Sequence, residues 1–185
     1  MQSRRTFLTT LTAATLAAPA LLAQNVYRFP YEWLPTDIPV NPGLAPGIIH
    51  VHVAATWLYL TLGDGVARRY KTAVGAAGRN FTGSARVARK AEWPSWTPTA
   101  SMIAAEPEVY GPVAGGLPGG DERNPLGSRA LYLYQGSRDT YYRIHGTPQP
   151  WTIGQSFSSG CIRLINDHAI DLYDRVPVGA QVVVL

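Results

Sequence analysis

A chain of 185 residues is the size of one domain and long enough to bury a working hydrophobic core. With 46% hydrophobic and 15% charged residues it falls outside the disordered class, and 18 Gly with 15 Pro favour turns and short strands over a helical bundle. The formal charge of +4 includes Arg4 and Arg5; without the first 23 residues it is +2, too near neutral for an electrostatic nucleic-acid binder.

Residues 1–23 have a basic start, an apolar stretch from Leu11 to Leu22 and small residues at the end, the order of a secretory signal. The stretch is too short and too rich in Thr and Ala for a spanning helix of about 20 apolar residues, so no stable membrane span is expected after its removal. Ser3-Arg4-Arg5-Thr6-Phe7-Leu8 is similar to a twin-arginine signal. Cleavage after Ala20 and after Ala23 both fit. The expected location is the periplasm or cell wall.

Residues 24–46 carry five prolines and read as an extended arm over the domain that occupies residues 47–185. Ile49, Val51 and Val53 alternate with His50 and His52 as a strand. Trp57–Leu62, a Gly63-Asp64-Gly65 turn and Val66–Val74 form a hairpin, and residues 84–92 a further strand. Residues 93–128, rich in Trp, Pro and Gly, are too apolar for a linker and are expected to form a lid or cleft wall. Strands follow at Arg129–Tyr134 and Tyr141–Ile144. One helix is expected from Asp167 to Val176, with Asn166 as its cap and His168 solvated in its first turn. Gln181–Leu185 is a buried terminal strand. The sum is a mostly-β domain with one or two short helices.

The sequence has one Cys, so an exported chain forms no internal disulfide and the thiol is either inert and buried or reactive. Cys161 follows Gly160, whose permissive backbone allows amides to converge near the sulfur, as a tetrahedral oxyanion requires. Arg163 supplies a nearby cation, able to lower the thiol pKa or hold a substrate carboxylate. His145, at a strand end 16 residues upstream, has the pKa of a general base for the thiol. His50 and His52 lack a third ligand nearby, so no metal is expected. No cofactor is expected either. Trp93, Trp96 and Trp151 are able to stack on a ligand, with core or loop packing as the alternative.

The segment HGTPQPWTIGQSFSSGCIRLIN, His145 to Asn166, resembles the signature of the L,D-transpeptidase catalytic domain, the YkuD family. The family pattern falls here on His145, Gly146, Ser158, Gly160, Cys161, Arg163 and Asn166. KAEWPSWTPT (Lys90–Thr99), GGDERNPLGSRALYL (Gly119–Leu133) and the final IDLYDRVPVGAQVVV extend the resemblance over residues 47–185. One departure is Ser159, where many members carry His, leaving His145 as the evident base.

The resemblance implies the family's β-sandwich-type fold and a peptidoglycan transpeptidase making 3→3 cross-links. Cys161 would attack the carbonyl between residues three and four of a donor stem peptide, and His145 would move the protons. The Gly146 carbonyl would orient the imidazole and amides at Gly160 and Cys161 would hold the oxyanion. Arg163 and Ser158 would shape the site or contact a substrate carboxylate, with Trp151 as a further substrate contact. Asn166 would be structural. The acceptor would be a second stem peptide, and carbapenem-type β-lactams would acylate Cys161. Rival readings are an L,D-carboxypeptidase or other hydrolase with the same site, a transferase joining an envelope protein to peptidoglycan, and a non-catalytic peptidoglycan-binding module.

Overall fold

A computed structural model describes residues 27–185. The signal segment and both candidate cleavage positions lie outside the described residues. Strands β1 (Thr36–Pro39), β2 (Ile49–His52), β3 (Trp57–Gly63), β4 (Val66–Lys71), β5 (Val74–Gly75) and β6 (Gly83–Glu92) precede helices α1 (Ala100–Ala105) and α2 (Pro107–Tyr110). β7 (Arg129–Gln135), β8 (Arg138–His145), β9 (Ser156–Ser158), β10 (Ile162–Arg163), α3 (Asn166–Arg175) and β11 (Gln181–Val184) complete the order.

Among the described residues, nine strands form one mixed sheet in the order β1-β4-β3-β2-β11-β6-β7-β8-β10, and β5 pairs with β9. The last strand in that order, β10, also reaches the segment that follows β4 near the opposite edge. Ala73, just past β4, exchanges two backbone hydrogen bonds with Arg163 of β10, at 2.9 and 2.8 Å. The sheet therefore wraps on itself, and strands from both halves share one core that includes Ile49, Leu58, Leu133, Ile144 and Val182. This is the mostly-β domain expected from the strand pattern, and it agrees with the sandwich-type fold that the resemblance implies. Period-two alternation is the reason: Ile49 and Val51 are buried while His52 is exposed. The hairpin turn falls where three successive residues take the left-handed region, Gly63, Asp64 and Gly65, with φ of 101°, 51° and 72°.

α3 packs on β7 and β8 through Ala169 and Leu172. It begins one residue earlier than expected. Ile165 occupies the cap position without a side-chain bond, and Asn166 is the first helical residue. The Asn166 side chain is used elsewhere: its Oδ1 accepts the Ser128 N–H at 2.9 Å, tying the helix to the start of β7. His168 is buried rather than solvated, because Phe29 of the N-terminal arm lies against it, with 6.4 Å between ring centroids. The arm is also more than an extended cover. β1 adds an antiparallel strand to β4 at the sheet edge, where Pro39 removes no needed donor.

Residues 93–128 hold α1 and α2 as well as turns. Thr99 caps α1 by accepting the Met102 N–H at 3.2 Å, and Pro107 starts α2 at the position where its missing N–H costs nothing. Trp96 and Leu117 exchange hydrogen bonds at 2.9 and 2.7 Å across the base of the segment. The Asn124 amide donates to Pro94 O at 2.8 Å and Pro118 O at 2.9 Å.

Asn166→Ala leaves the Ser128 N–H without its acceptor beneath α3. It is expected to lower unfolding free energy in urea by ~1–3 kcal/mol, and an unchanged midpoint would contradict this role.

Candidate active site

Strand pairing brings the sequence-predicted thiol and imidazole to one place. β10 runs parallel to β8 in the register Ile162↔Ile144 and Arg163↔His145. Alternate residues of a strand share a face, so Cys161 and Arg163 look the same way as Arg143 and His145. With strands ~4.8 Å apart and ~3.3 Å per residue, the Cys161 and His145 α-carbons lie roughly 8 Å apart, within reach of a thiol and an imidazole. All four side chains line one cleft of about 900 Å³. Residues 93–128 form its opposite wall through Trp96, Met102, Tyr110 and Leu117.

The turn before Cys161 is built around two glycine-specific demands. Gly160 has φ of 129°, and a Cβ there would meet the Tyr142 ring and the Arg79 carbonyl. Ser158 is buried and braces this turn. Its hydroxyl accepts the Gly160 N–H at 3.1 Å and donates to the Cys161 carbonyl at 2.8 Å. The Gly160 amide is thereby committed, and of the two amides expected at an oxyanion the Cys161 N–H has no acceptor among the described residues. Ser159 is exposed at the cleft rim. Trp151, 54% exposed, stands outside the lining of the cleft.

His145 is buried, and its Nδ1 donates to the Gly146 carbonyl at 2.5 Å. That bond leaves Nε2 as the lone-pair nitrogen. A side chain on Gly146 would strike Asn166 Oδ1, so the Gly here and the Asn on α3 pack as a pair. Burial, with the positive charges of Arg163 and Arg143, pushes the His145 pKa down to about 3, against the opposing Gly146 bond. Burial pushes the Cys161 thiol up, while the Arg143 amide and the Arg143 and Arg163 charges draw it down and Asp139 raises it. The pair is therefore a neutral imidazole beside a mostly protonated thiol.

The two arginines differ in what they have left to offer. Arg143 is held by Asp139 through two hydrogen bonds at 2.7 and 2.8 Å and lies over the Tyr132 ring at 4.4 Å. Arg163 lies over the Phe157 ring at 4.6 Å, its Nε is buried without a partner, and no carboxylate pairs with it among the described residues. An unpaired guanidinium lining a cleft suits a substrate carboxylate. Sequence reasoning missed Arg143 and Asp139. The one available signal was that Arg143 sits two residues before His145 and so shares its face. Among the described residues no three His, Cys, Asp or Glu side chains converge as a metal site. No described helix is long and apolar enough to cross a membrane.

The YkuD family model, described as the L,D-transpeptidase catalytic domain, matches residues 46–184. The probable L,D-transpeptidase ErfK/SrfK of Escherichia coli (strain K12) is 33% identical over 155 residues, which is 82% of this chain and 48% of that protein. The chain spans between 30% and 49% of the length of the curated relatives it matches. A Brucella melitensis structure described as a probable carnitine operon oxidoreductase is 48% identical at a TM-score of 0.56, covering 88% of this chain and 96% of that one. The L,D-transpeptidase LdtMt1 in complex with imipenem shares the fold at 20% identity and a TM-score of 0.52, covering 75% of this chain and 58% of that one.

The depressed His145 pKa has a consequence for stability. An imidazole with an ordinary pKa of 6.5 in the unfolded chain and about 3 in the fold binds more protons when unfolded. Its contribution to stability is therefore full above 6.5 and is lost as pH falls from 6.5 towards 3. His145→Gln removes this proton uptake, so its unfolding free energy should fall less steeply than the wild type over that interval. Parallel pH dependences in urea denaturation would contradict the burial of a neutral imidazole.

Proposed function

The chain belongs to the L,D-transpeptidase catalytic-domain family, and from that membership we propose that it is a cysteine-dependent peptidoglycan transpeptidase that forms 3→3 cross-links. The observation that carries this reading is the shared face of Cys161 and His145 in one cleft.

In this reading His145 Nε2 takes the Cys161 proton as the sulfur attacks the carbonyl between residues three and four of a donor stem peptide. Charge builds on the carbonyl oxygen, which the Cys161 N–H receives. His145 then returns its proton to the leaving amine, a D-amino acid departs, and the donor remains as a thioester. Arg163 pairs with the carboxylate of the departing residue. An acceptor amine, the side chain of a diaminopimelate residue in a second stem, attacks the thioester and gives its proton to His145. An amide forms and the thiol returns. The Gly146 carbonyl holds Nδ1–H throughout, keeping Nε2 free for both transfers. The wall built by residues 93–128 shields the thioester from water.

The reading extends to location and inhibition. The 1–23 segment supports export to the periplasm or cell wall by the twin-arginine route. The complex of a fold relative with imipenem supports carbapenems as acylating agents of Cys161.

Incubation with a disaccharide tetrapeptide should give cross-linked dimers by mass spectrometry, and Cys161→Ala should give none. Tripeptide monomers alone would favour the carboxypeptidase reading, and turnover by Cys161→Ala would reject the nucleophile. Imipenem should add mass to the wild type and not to Cys161→Ala, and His145→Ala should slow that acylation by ~100-fold. Shortening the 93–128 wall should raise hydrolysis relative to cross-linking; an unchanged ratio would remove its shielding role.

A further inference from the structure

β8 does not run straight to the site. Between the pairs Tyr134↔Asp139 and Tyr132↔Arg143, β7 has one residue, Leu133, and β8 has three, Thr140, Tyr141 and Tyr142. Such a bulge leaves amides without their ladder partners. Here side chains of β8 itself supply them: Asp139 Oδ1 accepts the Tyr141 N–H at 2.8 Å, and Thr140 Oγ1 accepts the Tyr142 N–H at 3.2 Å. Tyr141, 74% exposed at the cleft, takes a left-handed φ of 62°, a costly conformation for an aromatic residue.

The bulge faces the nucleophile. The Tyr141 carbonyl accepts the Cys161 S–H at 3.8 Å. The same Asp139 carboxylate that closes the bulge also grips the Arg143 guanidinium with both oxygens. One side chain thus fixes two groups of the site, a carbonyl that meets the thiol and a cation that lines the same cleft and favours the thiolate.

We propose that Asp139 is a positioning residue for the nucleophile, closing the β8 bulge so that the Tyr141 carbonyl is held against Cys161 and the Arg143 guanidinium is held in the same cleft. This rests on Cys161 as the reacting group and deepens that reading. Asp139 touches no substrate in this account and acts through its neighbours.

The sign of a titration separates positioning from simple charge. Facing the sulfur from β8 are Arg143, Asp139, His145, Tyr141 and Tyr142. Arg163 faces it from β10, Tyr132 from β7, and Tyr110 and Arg123 from the 93–128 wall. If Asp139 were only a countercharge, removing it would strip a negative charge from the site and lower the Cys161 pKa. If it holds Arg143 in place, removing it releases the cation and the thiol titrates higher.

The test is the rate of Cys161 alkylation by iodoacetamide across pH in the full chain, which needs no stem peptide and so stands or falls apart from the transpeptidase assay. Arg143→Ala should move the titration upward by about one pH unit. Asp139→Ala should move it the same way, and the double variant should move it no further than the larger single change, the non-additivity of groups acting in series. Should Asp139→Ala fail to fold, Asp139→Asn keeps an acceptor for the Tyr141 N–H while losing the ion pair, and the same upward shift is expected of it. A downward or absent shift in either Asp139 variant, or full additivity with Arg143→Ala, would overturn the inference.

Discussion

Three backbone pairs along β10 set the geometry on which everything else depends. β10 is only two residues long, yet it is bonded on both sides. β8 lies on one side, where Leu164 N–H reaches His145 O at 2.8 Å, and Ala73 lies on the other. That short strand closes the wrapped sheet and also fixes the register of Cys161 against His145. A slip of one residue would turn the thiol to the opposite face, because side chains alternate along a strand. The closure of the fold and the assembly of the site are therefore one event, and the buried Ile162 and Leu164 on either side of Arg163 anchor it in the core.

The electrostatics follow from the same placement. Arg143 and Arg163 flank the thiol and imidazole on one face. Cations favour the thiolate but oppose the imidazolium, so they help one half of a preformed ion pair and hinder the other. With His145 buried, the balance falls on a neutral base. This makes the Gly146 carbonyl consequential: by engaging Nδ1–H it decides which nitrogen is basic. Behind it, Asn166 packs against Gly146 and ties Ser128, so the His145 tautomer is held through α3.

Much of this was legible in the sequence, for identifiable reasons. Alternation marked β2, and the Gly63-Asp64-Gly65 turn marked the β3–β4 hairpin. The Gly160-Cys161 pair and His145 stood out because few residue types suit nucleophile, base and tight turn. What stayed hidden depends on contacts distant in the chain. Asn166 looks like a helix cap until Ser128, 38 residues away, claims its side chain. His168 looks solvated until Phe29 covers it. Asp139 and Arg143 look like surface charges on an amphipathic strand, and only the bulge between them shows the Asp139 carboxylate bonded to both the Tyr141 amide and the Arg143 guanidinium. Ser158 carries a motif position, and its two bonds to the turn show bracing that spacing alone does not reveal.

The claim that most needs direct measurement is that the base is a neutral imidazole with its proton on Nδ1. Nitrogen-15 NMR of the imidazole side chains reports tautomer and charge together. The account predicts a His145 signal with Nδ1 protonated and Nε2 bare at neutral pH, unchanged as the sample is acidified through pH 6.5. An imidazolium at neutral pH, or a proton on Nε2, would contradict it.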